Sequence, residues 1–91
     1  MLTLDSCIGR NNDVPWRIIE EEAVLVSVDR GEVIHLNSVG AQIWNSIESK
    51  TKVSEIIEYI YETFDVDKDA AAKDALEFLK RLKEARVIDV S

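Results

Sequence analysis

The sequence predicts an α+β domain, a three-stranded antiparallel sheet followed by a bundle of three helices. Three observations carry this expectation. Apolar residues alternate in short runs between Val14 and Leu36; at Asn37-Ser38 the apolar period lengthens to that of a helix; and helical spacing then persists to about Ala85.

The first β pattern is Val14, Trp16 and Ile18, with Pro15 marking a strand start or an edge. Glu20-Glu21-Glu22 is a charged turn, Ala23–Val28 a second strand and Glu32–Leu36 a third. Asp29-Arg30-Gly31 between the last two is a hairpin signal, because glycine supplies the positive φ of a tight turn. Gly31–Trp44 then hands a strand directly to a helix. Leu36 is the last inward strand residue, Asn37 or Ser38 accepts from the orphan N–H groups of the first helical turn, and Ile43-Trp44 begin the buried face.

The first helix is expected over Ser38–Glu48, with Val39, Ile43, Trp44 and Ile47 on one face and Gly40 allowing close approach to a neighbour. Thr51 is the expected N-cap of the second, whose apolar stripe is Val53, Ile56, Ile57, Ile60, Tyr61 and Phe64. Asp65-Val66-Asp67 ends that helix and caps the third, about Asp67–Ala85, with Ala71, Ala75, Phe78, Leu79 and Leu82 inward. Val87, Ile88 and Val90 form an apolar tail, as a short strand or a clasp on the core. Residues 1–13 carry little pattern: a loose arm ending in the turn chemistry of Gly9–Asp13, with a short strand at most near Leu2–Leu4.

Ninety-one residues make one domain with one core, and 46% hydrophobic content suffices for it. Eighteen acidic residues against 11 basic give a net charge of −7, which argues against a nucleic-acid surface. The second helix, Lys52–Phe64, carries three glutamates and one lysine, unlike the basic recognition helix of a DNA reader. Cys7 is the only cysteine, so no internal disulfide forms. No basic segment followed by an apolar run opens the chain, and no stretch reaches membrane-spanning length. The expected location is the cytoplasm, with no membrane contact.

Catalytic readings find little support. His35 reads as a half-exposed structural histidine, with no second His or Cys to share a metal. Glu20-Glu21-Glu22 reads as a solvated turn, Trp44 as core, and one His with one Cys sustains no nucleophilic triad. Neither a cofactor nor a metal is expected, nor enzymatic activity.

The order of elements, together with particular residues, resembles the family of the pyrroloquinoline quinone biosynthesis protein D. The resemblance rests on Trp16-Arg17, Ala23-Val24-Leu25-Val26, and Gly31…Leu36-Asn37…Gly40…Ile43-Trp44. It continues through Val53-Ser54-Glu55-Ile56-Ile57, Phe64-Asp65-Val66 and Phe78-Leu79…Leu82…Val87-Ile88, spanning Val14 to Ile88. It implies a winged helix-turn-helix-like fold that binds the leader of a ribosomally made precursor peptide. The leader adds as a strand to the edge of the third strand, beside the third helix, and is presented to a modifying enzyme, typically a radical S-adenosylmethionine protein.

Strand addition needs an edge with unpaired N–H and C=O groups and a neighbouring pocket for alternate side chains. If the strands meander in order, the third strand is such an edge. The expected peptide contacts are therefore Glu32, Val33, Ile34, His35 and Leu36 on the strand and Ala72, Leu76, Lys80 and Lys83 on the helix. Leu76 has an alternative, packing on the Val87–Val90 tail. Of the Lys80-Arg81…Lys83…Arg86 run, Arg81 reads as complementing the helix dipole, whereas Lys80 and Lys83 are open to acidic residues of a leader or partner. A winged-helix transcriptional or regulatory subunit is the second reading. A structural or dimerisation subunit is the third, and the sequence permits a homodimer.

Overall fold

The computed structural model describes residues 2–47 and 50–91. In chain order its elements are β1 (Cys7–Arg10), β2 (Trp16–Ile19), β3 (Glu22–Ser27), β4 (Glu32–Leu36), α1 (Ser38–Ser46), β5 (Thr51–Lys52), α2 (Val53–Thr63), α3 (Lys68–Glu84) and β6 (Ile88–Val90). The class is α+β. The first helix was expected to run to Glu48, which lies outside the described residues.

The alternating stretch forms one antiparallel sheet of order β2-β3-β4. Its register places Leu25 opposite both Trp16 and Ile34, and Ala23 opposite both Ile18 and Leu36. Ala23, Leu25, Ile34 and Leu36 are buried, so this parity faces the core. Gly31 turns the β3–β4 hairpin at φ +63°, and Glu20 adopts φ 61° in the charged turn.

The amino-terminal segment corrects the loose-arm expectation. β1 is the centre of a second antiparallel sheet, order β5-β1-β6, with Ile8 opposite Val90 on one side and Thr51 on the other. Cys7 and Ser91 exchange backbone bonds of 2.8 and 2.9 Å, and the Asn11 N–H donates to the Val87 carbonyl at 3.0 Å. Ile8 is fully buried. Gly9 and Arg10 belong to this strand, and the turn begins only at Asn11, whose side chain accepts from the Asp13 N–H at 3.0 Å. The strands are thus interleaved with the helices, not confined ahead of them.

Helix ends follow local chemistry. Asn37 caps α1 by accepting from the Gly40 N–H at 2.9 Å, and Asp67 caps α3 by accepting from the Ala70 N–H at 2.7 Å. Thr51, expected to cap the second helix, instead pairs with Ile8 in β5, and Lys52 occupies the cap position. α3 ends with Arg86 in the left-handed region at φ 62°, the Arg86 N–H on the Lys83 carbonyl and the Val87 N–H on the Leu82 carbonyl. That is a Schellman motif with arginine where glycine usually stands.

One core holds both sheets and the helices, with Ile8, Leu25, Trp44, Ile47, Val53, Ile56, Leu79, Leu82 and Val87 fully buried. Trp16 meets Trp44 edge-on at 5.9 Å, and the Arg10 guanidinium lies 5.0 Å from the Trp16 ring and 5.8 Å from that of Trp44. The aromatic faces offset part of the desolvation of that cation. Among the described residues no helix is long and apolar enough to cross a membrane, and no group of three His, Cys, Asp or Glu could hold a metal.

Ser27 is buried, and its hydroxyl donates to the Ala85 carbonyl at 2.6 Å, tying the end of β3 to the end of α3. This bond sets the helix at a fixed distance from the sheet. Ser27→Ala leaves that carbonyl without its partner and is expected to cost about 1–3 kcal/mol in urea-melt stability.

Candidate functional site

β4 is an edge strand, and the direction of its amides follows from the pairing. The Val26 N–H donates to the Pro15 carbonyl at 2.9 Å, on the β2 side. In an antiparallel ladder a residue's N–H and C=O point to the same side, and the side alternates along the strand. Val26 and Val33 therefore face each other as a non-bonded pair, which turns the Val33 N–H and C=O toward the open edge. His35, two residues on, shares that direction, while Glu32, Ile34 and Leu36 bond to β3.

Beside this edge runs a groove. One part, about 410 Å³, is lined by Arg30, Glu32, Val33, Ile34, His35, Arg81, Glu84 and Ala85. The next, about 470 Å³, brings His35, Leu36, Asn37, Val39, Gly40 and Ile43 together with Asp74, Phe78 and Arg81. His35 and Arg81 line both, so the two parts are continuous. The groove has strand β4 on one side, α3 on the other and the start of α1 at one end. Gly40 is what brings these three together: a Cβ there would lie 3.3 Å from both the Leu36 Cβ and the Phe78 ring.

The strand residues expected at the site, Glu32, Val33, Ile34, His35 and Leu36, all line the groove. Val33 is 59% exposed and His35 is exposed, whereas Ile34 and Leu36 turn inward and form the floor. The helix residues are placed differently. Leu76, Lys80 and Lys83 line another hollow, about 860 Å³, with Leu2, Arg30, Glu84 and Arg86; Ala72 is half-buried against the core.

The wall facing β4 is instead Asp74, Phe78 and Arg81. At 100° per residue, Leu76 lies about 100° to one side of the buried Ala75 and Phe78 about 60° to the other. The two sets thus flank the buried stripe on opposite sides, and the groove uses the Phe78 flank. The i, i+4, i+7 spacing of Asp74, Phe78 and Arg81 is legible in the sequence as one helix edge; which edge meets the sheet is not.

The groove offers outward backbone groups, an apolar floor of Ile34, Leu36, Ile43 and Phe78, and a mixed rim of Arg30, Glu32, His35, Asp74, Arg81 and Glu84. That combination suits an extended polypeptide. It does not assemble a nucleophile with a base.

Two solved structures share the fold. One is TbiB1 in complex with the TbiA(beta) leader peptide, at 26% identity and TM-score 0.80, covering 89% of this chain and 94% of that one. The other is the solution structure of the PqqD truncation of Methylobacterium extorquens PqqCD, described as a functional and stand-alone recognition element for ribosomally synthesized and post-translationally modified peptides. It is 20% identical with TM-score 0.78, covering 98% of this chain and 95% of that one, and supports the fold alone. No curated protein matches the chain in sequence. The family described as Coenzyme PQQ synthesis protein D (PqqD) matches residues 22–88, from the first residue of β3 through all three helices, and the chain belongs to that family.

Proposed function

We propose that this domain is a non-catalytic peptide-binding adaptor. It captures the leader of a ribosomally made precursor as an added strand on the free edge of β4. It then presents that precursor to a modifying enzyme, of the radical S-adenosylmethionine type. The observation that carries the reading is the conjunction of the outward Val33 and His35 amides with the groove walled by Phe78 and Arg81. Main-chain pairing supplies affinity with little regard to side chains, and the groove reads alternate side chains of the guest. The structure of TbiB1 with a leader peptide supports it, as does membership of the PqqD family.

The test is a ¹H–¹⁵N titration with a candidate precursor peptide, taken from any short reading frame found near this chain's gene. Shifts are expected along Glu32–Leu36 and on Asp74, Phe78 and Arg81. Shifts confined to α2, or none at saturating peptide, would overturn the reading.

DNA reading fits poorly. Glu55, Glu58 and Glu62 lie exposed along α2, and the domain as a whole is acidic. Fluorescence anisotropy with a labelled duplex at physiological salt is expected to show no binding, because like charge repels the phosphate backbone. Micromolar, salt-sensitive binding would favour the regulatory-subunit reading.

A further inference from the structure

The hollow on the other flank of α3 has a composition at odds with the rest of the molecule. Four of the 11 basic residues, Arg30, Lys80, Lys83 and Arg86, gather around it against one carboxylate, Glu84. On a domain of net charge −7 this is a local reversal of sign. Leu2 and Leu76 give it an apolar component. Its volume, about 860 Å³, lies within the range of ligand clefts.

The cations are largely unspent. Arg30 binds Glu32 through Nε at 3.2 Å and reaches the Glu84 carbonyl at 3.5 Å. Among the described residues Lys80, Lys83 and Arg86 make no ion pair. Arg86 also occupies the left-handed position after α3, where a residue with a side chain is strained and glycine is the ordinary choice. An arginine stands there nonetheless, exposed and lining the hollow.

Arg30 and Glu84 line this hollow and the β4 groove alike, so the two adjoin near the end of α3. We propose that the hollow binds an acidic, leucine-containing segment of the same polypeptide that occupies the β4 edge. The guest is then bipartite: an extended stretch held by main-chain pairing, joined to a stretch of Asp or Glu with Leu held by charge and apolar contact. This rests on the peptide-capture reading for its biological meaning. The chemistry points to a polypeptide over a bare phosphate, because the leucines give a phosphate nothing to bond. Local basic charge on an acidic domain would also focus an acidic segment onto this end of the groove.

The probe is acetyl-Leu-Glu-Asp-Leu-Glu-amide, with acetyl-Leu-Lys-Lys-Leu-Lys-amide as control, followed by ¹H–¹⁵N shifts. The acidic peptide is expected to shift Leu76, Lys80, Lys83 and Arg86 saturably. Its affinity should fall at least several-fold between about 20 and 300 mM salt, as screening of exposed charges requires. Lys80→Glu combined with Lys83→Glu should lower affinity at least tenfold while leaving the circular dichroism spectrum unchanged, since both side chains are exposed. No shift at millimolar peptide, equal shifts from the lysine control, or shifts only along β4 would overturn the proposal. The precursor titration reads β4 separately, so the two proposals fail independently.

Discussion

Trp44→Ala is expected to remove about 3–5 kcal/mol of stability, the range for truncating a large buried aromatic. A domain of this size holds roughly 5–14 kcal/mol in total, so the variant would stand near the edge of folding. Trp44 is fully buried and forms the hub between the sheets: Trp16 packs on it edge-on, and Arg10 of β1 lies over both rings. Removing the indole opens a cavity and also strips the guanidinium of one aromatic face. Trp16→Ala should cost clearly less, because that residue is already 38% exposed. Urea melts of both variants decide the matter. A loss below about 1 kcal/mol for Trp44→Ala would contradict its place in the core.

The corner from Gly31 to Trp44 was legible because its turn and its cap are local. Gly31 takes the positive φ its turn needs, Asn37 caps within three residues, and Gly40 admits Phe78 as its small size suggested. Elements that depend on distant pairing were not legible. β1 buries a single large residue, Ile8, and its partners Thr51 and Val90 lie in the middle and near the end of the chain, so no periodicity announces it. Thr51 shows the same competition, since a good cap residue went to the strand pair that β1 makes. Ser27 was hidden for another reason: alternation from Leu25 places it inward, but its acceptor, the Ala85 carbonyl, belongs to the helix terminus 58 residues on.

The strand that borders the groove follows from meander order, whereas the helix edge that faces it does not. Periodicity puts Ala71, Ala75, Phe78, Leu79 and Leu82 inward, and the structure buries all of these but Phe78, which lines the groove. Periodicity does not say which flank of the stripe, the one with Leu76 or the one with Phe78, meets the sheet edge. The Ser27–Ala85 bond and the Gly40–Phe78 contact settle that docking, and they put Phe78 and Arg81 beside β4.

Val33→Pro is expected to abolish peptide capture, lowering affinity at least tenfold, while the domain stays folded. Proline removes the N–H and fills the edge with its ring. At Val33 that N–H points away from β3, so the intramolecular ladder keeps all its bonds and an edge position tolerates the ring. A guest strand, by contrast, loses a main-chain bond and meets a steric block. One backbone bond contributes only about 0.5–1.5 kcal/mol net, so most of a larger loss would come from the displaced strand losing its register in the groove. Ile34→Pro is the informative contrast: its N–H faces β3 and its side chain is buried, so that variant should lose the fold itself. Calorimetric titration with the precursor peptide, read beside thermal melts of both variants, separates the outcomes. Full affinity in a folded Val33→Pro protein would mean that the guest does not pair with β4, and strand addition would have to be abandoned for binding through the side chains of the groove alone.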